Sequence, residues 1–198
     1  MAKELFTLDG PLCALENAGA RQTDVCPNCG RGRRIQIANL QVSLVCQPRH
    51  VWLSDGNAVL LDQEAKAAMS GINSEVIGFR HAKGAWRPDL PWADRTVPDL
   101  MQLVATSHIS VSSQSVELDG CSCGAVRSIS FEPLVVLDPE SAVGVWCLAE
   151  NPEVLVFDDA VRDALICADP DLEFLRVWRE DEYISPATPS GGIDWSDV

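Results

Sequence analysis

"EVLVFDDAVRDALICADPDLEFLRVW", residues 153–178, holds a strand, a helix and a second strand in one short run. "EVLVF" is a strand candidate, a continuous apolar run from Val154 to Phe157. Asp158 is placed to cap the helix that follows, and Val161, Ala164, Leu165 and Ala168 fall on one face at helical spacing. "LEFLRVW" then returns as a strand. The same order is read earlier in "VWLSDGNAVLLDQEAKAAMSG" and "SEVIGFRH": a strand, a turn at Asp55-Gly56, a helix and a strand. In that helix Asn57 is the expected cap, Gly71 the terminator, and Ala58, Leu61, Ala65, Ala68 and Met69 the buried stripe. The shared order suggests a duplication, but the residue identity between the two runs is too thin to establish one.

Outward from these units the chain reads as short strands. "IQIANLQVSLV" (35–45) alternates apolar and polar residues with one slip near Asn39. "HISVSSQSVEL" and "AVRSISFEPLVVL" are strands on either side of "DGCSCG". "ADRTVPDLMQLVATSH" is expected to be a helix, with Thr96 as cap and Pro98 in its first turn. "AKGAWRPDLPWADRTVP" is expected to be an ordered irregular loop. The predicted class is therefore α+β: a mixed sheet of short strands with a few helices, two strand–helix–strand units and a zinc-knuckle clip. The predicted organisation is one domain over 1–184, with sub-halves at about 1–95 and 96–184, and a loose tail over 185–198 whose turn-forming composition is poor in apolar residues.

Composition narrows the function. The 198 residues carry 29 acidic and 15 basic side chains, a net charge of −14. From Glu150 onward, 13 acidic residues face 3 arginines, so most of the excess sits in the last quarter. Such a surface repels phosphate backbones and suits a basic protein partner. No apolar run approaches the roughly 18 residues of a membrane span. The opening "MAKELFTLDG" has no apolar signal core. The expected compartment is thus the reducing cytoplasm, where eight cysteines are thiols or metal ligands rather than disulfides. No phosphate-binding glycine loop, nucleophile elbow or zincin motif occurs, and the three histidines lie far apart in sequence.

The cysteines carry the remaining signal. "CPNCG" (26–30) has the form of a zinc knuckle, in which a tight turn aims two thiolates at one ion. A thioredoxin-like reading needs a helix after the motif, and Gly-Arg-Gly-Arg-Arg disfavours one, since each glycine costs about 1 kcal/mol there. Zinc requires two further ligands. Cys121 and Cys123 in "DGCSCG" repeat the flanking glycine; Cys46 and His50 in "CQPRH" form a rival set, C-x2-C-x16-C-x3-H. Cys13, Cys147 and Cys167 sit in apolar surroundings and are expected in the core.

"CPNCG" near the start, "CSCG" two-thirds along and the closing "LVFDDAVRDAL…LEFLRVW" together resemble the bacterial double-CXXCG motif proteins. These are chiefly immunity proteins, which protect a cell from a toxin passed between neighbouring kin. The second motif departs from the family pattern, being CxCG, one residue short. The resemblance implies paired knuckle cysteines at 26 and 29 and at 121 and 123, a structural zinc, and no catalytic residues. It implies a cytoplasmic non-enzyme that binds a cognate protein toxin, a basic nuclease being the partner that suits the acidity. Asp158, Asp159, Asp163, Asp169 and Asp171 are the expected contacts on such a toxin. The alternative is a zinc-ribbon nucleic-acid-binding or regulatory protein, favoured by Arg21, Arg31, Arg33 and Arg34 beside the first knuckle and opposed by the net charge.

Overall fold

The structure, a computed structural model, describes residues 4–30, 32–72, 77–118, 126–131, 133–137 and 144–183. In chain order the elements are β1 (Leu5–Asp9), β2 (Ala14–Glu16), β3 (Arg21–Val25), β4 (Gly32–Gln36), β5 (Gln41–Leu44), β6 (Val51–Leu53), β7 (Val59–Leu61), α1 (Gln63–Ala68), β8 (Ile77–Trp86), β9 (Leu100–Ala105), β10 (Ser107–Ile109), β11 (Val116–Leu118), β12 (Val126–Ile129), β13 (Leu134–Val136), β14 (Val145–Leu148), β15 (Leu155–Asp158), α2 (Asp159–Ala168) and β16 (Glu173–Arg179). The class is α+β, dominated by short strands in mixed sheets. The slip expected near Asn39 is a break between β4 and β5, which belong to different sheets.

Two six-stranded sheets carry the fold, ordered β2-β5-β8-β9-β7-β6 and β10-β14-β15-β1-β16-β13. Their central strands match one for one. The series β6-β7-β9-β8-β5 and β14-β15-β1-β16-β13 each run through three antiparallel pairings and end on a parallel one. Each sheet also closes on itself. Ala14 bridges Ser54 in parallel, supported by Cys13 N–H to the Leu53 carbonyl at 2.9 Å, so β2 pairs on both edges. Val111 bridges Val136 antiparallel, so the strand that begins with β10 does likewise. Closure into small barrels removes the open edges that would otherwise invite aggregation.

The two barrels are one topology repeated, with their central strands exchanged. β1, which opens the first repeat, lies in the second barrel between β15 and β16, and β9, its counterpart, lies in the first between β7 and β8. The register makes the correspondence residue by residue. Leu5 corresponds to Leu100, Ala14 to Ile109, Trp52 to Trp146, Leu61 to Phe157, and Ala82 to Val177, all of them buried. One cluster fills the first barrel around Trp52, Leu60 and Leu100, and another fills the second around Trp146, Val156 and Leu5. The third, around Val51, Ala65 and Met69 with their counterparts Val145, Val161 and Leu165, lies between the barrels. Helices α1 and α2 pack against each other there.

Three expectations are corrected. The segment read as a helix from Thr96 is β9: flanked on both sides, it places its amides in two ladders, and this pairing overrides local cap signals. The first helix starts later than expected, at Gln63 after an Asp62 cap; Ala58 is buried just before β7, Leu61 is buried within it, and Ala68 is exposed. Asn57 is a turn residue at φ +61°, a left-handed conformation that asparagine tolerates better than most residues. Finally, "AKGAW" is not loop but the second half of β8. The tail over 185–198 lies outside the described residues.

Candidate metal centre and contact surface

Residues 21–36 form a two-stranded arm, β3 paired with β4 from Arg21↔Gln36 to Val25↔Gly32. The "CPNCG" turn joins its strands. Gly30 adopts φ +71° and donates its N–H to the Cys26 carbonyl at 2.9 Å, a tight turn that a side chain would strain. Cys26 and Cys29 are both half-buried at this tip. The outer residues of β3 are exposed, and so are Val25, Ile35 and Ile37.

The root of the arm is fixed. Arg21 donates to both Glu16 carboxylate oxygens at 2.5 and 2.7 Å, to the Gly56 carbonyl at 3.0 Å and to Glu153 at 2.5 Å. Burial works against its charge, and the flanking carboxylates outweigh that and raise its pKa. Glu16 and Gly56 belong to the first repeat and Glu153 to the second, so this network ties the arm to both. Gln36 and Gln102 exchange side-chain hydrogen bonds at 2.9 and 2.8 Å on the arm's other strand. Arg21 is therefore committed to internal carboxylates, which removes it from the set expected to meet phosphates.

The second repeat carries the equivalent arm, β11 paired with β12. The numbering shift that takes Leu5 to Leu100 and Ala14 to Ile109 takes Arg21 to Val116 and Cys26 to Cys121. In chain order the second motif falls between β11 and β12 as the first falls between β3 and β4. Cys121 and Cys123 themselves lie outside the described residues. The rival pair is described, and it is not assembled with the first: among the described residues no group of three or more metal-ligating side chains comes together. His50 Nδ1 instead sits 2.8 Å from Asp62 Oδ2, and Cys46 packs against the first barrel beside Cys13.

The acidic residues separate by burial. Asp158 is completely buried as the cap of α2, accepting from Val161 N–H at 3.0 Å and Gly144 N–H at 3.2 Å. Asp169 is buried in a two-pronged ion pair with Arg49, at 2.8 and 3.0 Å. Neither can meet a partner, which corrects that expectation: their charges serve the fold. Asp163 and Asp171 are exposed and Asp159 is half-buried, and Asp163 carries Arg162 at 2.7 Å. Cys13 and Cys147 are buried as expected, whereas Cys167 is exposed.

Among the described residues no helix is long and apolar enough to cross a membrane. Comparison of the chain with family models, with curated proteins and with solved structures returns no match.

Proposed function

We propose that this protein is an immunity factor that binds and neutralises a toxin delivered by neighbouring cells, and that it carries one structural zinc held by Cys26, Cys29, Cys121 and Cys123. The observation that supports this most is the equivalence of the two cysteine hairpins. Each repeat has a hairpin, and the sequence carries a Gly-flanked thiol pair between the strands of each, so the chain has the four soft ligands that zinc takes in closed, structural sites. The conformation at Gly30 suits a knuckle turn. The two motifs, together with the closing "LVFDDAVRDAL…LEFLRVW", are also what the resemblance to double-CXXCG immunity proteins rests on.

In this reading the protein acts in the cytoplasm by occlusion and not by catalysis. Asp163, Asp171 and Asp159 contribute to an acidic face that steers a basic partner, and the exposed apolar residues of the first arm supply contact area. The toxin to test is the one encoded beside this gene. Its lethality on expression should be abolished by co-expression of this chain. Association should slow as salt rises from low to physiological, while dissociation changes little. Charge reversal at Asp163 and Asp171 should reproduce the slowing. Continued killing with the chain folded and abundant would overturn the reading.

A further inference from the structure

We propose that Cys13 and Cys46 form a redox-active thiol pair that closes to a disulfide on exposure to a hydroperoxide, a site independent of the cysteine hairpins. The two residues lie at one end of the β2–β5 ladder of the first barrel. Val45 donates its N–H to the Cys13 carbonyl at 2.9 Å, which holds the start of β2 beside the end of β5. Cys13 is 2% exposed within the barrel cluster, and Cys46 packs half-buried against the same cluster at its mouth. The Cys46 thiol donates to the Gln47 carbonyl at 3.3 Å, which fixes its side chain against the cluster that holds Cys13. Arg49 Nη1 lies 3.5 Å from Cys13 Sγ and is itself fixed by the ion pair with Asp169.

The chemistry follows from this placement. The neighbouring Cys46 side chain, then Arg49 acting against the cost of burial, lower the Cys13 thiol to about 6, while Cys13 and burial push Cys46 up. The lowered thiol, Cys13, is then the nucleophile of the pair and Cys46 its resolving thiol. The architecture does not demand it. The counterpart of Cys13 in the second barrel is His108, so the thiol belongs to one repeat only.

In the first step the Cys13 thiolate attacks a peroxide oxygen. The O–O bond breaks, hydroxide leaves and takes a proton to become water, and Cys13 becomes a sulfenic acid. Cys46 sulfur then attacks Cys13 sulfur, the S–O bond breaks, and the Cys46 proton leaves with that oxygen as a second water. The two thiols lose two electrons in all and the peroxide gains two. Hydrogen peroxide, little larger than water, enters past Cys46.

Trypsin separates the relevant thiols, with Cys13 in peptide 4–21, Cys26 and Cys29 in 22–31, and Cys46 in 35–49. The full-length reduced protein should be treated with stoichiometric hydrogen peroxide, its remaining thiols blocked, and the digest read by mass spectrometry. The expected product joins 4–21 to 35–49 with loss of two hydrogens, and dithiothreitol reverses it. In Cys46→Ser the link disappears and Cys13 should stop at the sulfenic acid, trapped by dimedone, and a second equivalent of peroxide should carry it to the sulfinic acid, because its resolving partner is gone. The proposal is overturned if peptides 4–21 and 35–49 stay separate and reduced while the exposed Cys167 oxidises. It is equally overturned if Cys13 stays reduced in folded Cys46→Ser. Linkage within 22–31 alone would also count against it.

Discussion

Asp62 and Asp158 are structural counterparts: each follows the strand that enters a helix, and each caps that helix with its own carboxylate. Asp62 accepts from Glu64 and Ala65 N–H at 3.0 and 2.9 Å, and Asp158 accepts from Val161 N–H at 3.0 Å. Ala65 and Val161, the residues so bonded, are themselves counterparts buried between the barrels. Replacing either aspartate by alanine should destabilise the protein, by about 1 kcal/mol at Asp62 and about 2 kcal/mol at Asp158. The difference arises because Asp158 is fully buried and also satisfies Gly144 N–H. Urea denaturation followed by tryptophan fluorescence would measure both, and equal costs would show that burial adds nothing to the second cap.

The second strand–helix–strand unit was legible because its signals agree: an apolar run, an aspartate cap and helical spacing of Val161 and Leu165 all point the same way. β9 was not legible. Thr96 and Pro98 imitate a helix start, and only pairing with β7 and β8, remote in sequence, makes "LMQLVA" a strand. The duplication was hidden for a related reason. Barrel positions demand apolar bulk rather than a particular residue, so Ala14 can stand for Ile109 and Leu60 for Val156. The exchange of β1 and β9 between barrels leaves no trace in the sequence at all. The burial of Asp158 and Asp169 was equally invisible, since a buried, fully hydrogen-bonded aspartate and a solvated one look alike in a string.

The bond between Arg21 and Glu153 joins the first arm to the second repeat. Arg21→Ala should cost about 3 kcal/mol, because it removes the guanidinium that faces the carboxylates of Glu16 and Glu153 where their side chains are only 6% and 13% exposed. Glu153→Gln keeps a hydrogen-bond acceptor and should cost less. In a double-mutant cycle the two changes should be strongly non-additive. Additive costs would mean that the arm is anchored through Glu16 and Gly56 alone.

Acid should loosen the contact between the first barrel and α2. Burial opposes the charge of Asp169, but Arg49 and the Val51 N–H outweigh it and hold the carboxyl below its usual range. A carboxyl lowered on folding contributes stability that is complete above its unfolded pKa, roughly 4, and lost as pH falls through the folded value. Asp169→Asn should therefore destabilise the protein at neutral pH and flatten the dependence of stability on pH below about 4. Thermal melts of both forms across pH 2.5 to 7, taken in small steps, would reveal it. Parallel curves would show that other carboxylates dominate acid unfolding.

Metal content tests the equivalence of the hairpins most directly. If the two arms hold one ion between them, protein purified without chelator should contain about one zinc per chain. Two ions per chain would instead mean that each hairpin recruits ligands of its own. The pairing also predicts a symmetry among variants. Serine at Cys26 and serine at Cys121 remove counterpart ligands from a single site, so each should release the whole ion and lower the melting temperature similarly. Combining them should add little, because the site is already empty. Cys46→Ser should leave the zinc in place, since Cys46 packs against the cluster of the first barrel. Retention of zinc in Cys121→Ser with loss in Cys26→Ser would confine the metal to the first arm. No zinc in fresh, reduced protein would remove the metal centre altogether, leaving the hairpins as bare arms of the duplicated fold.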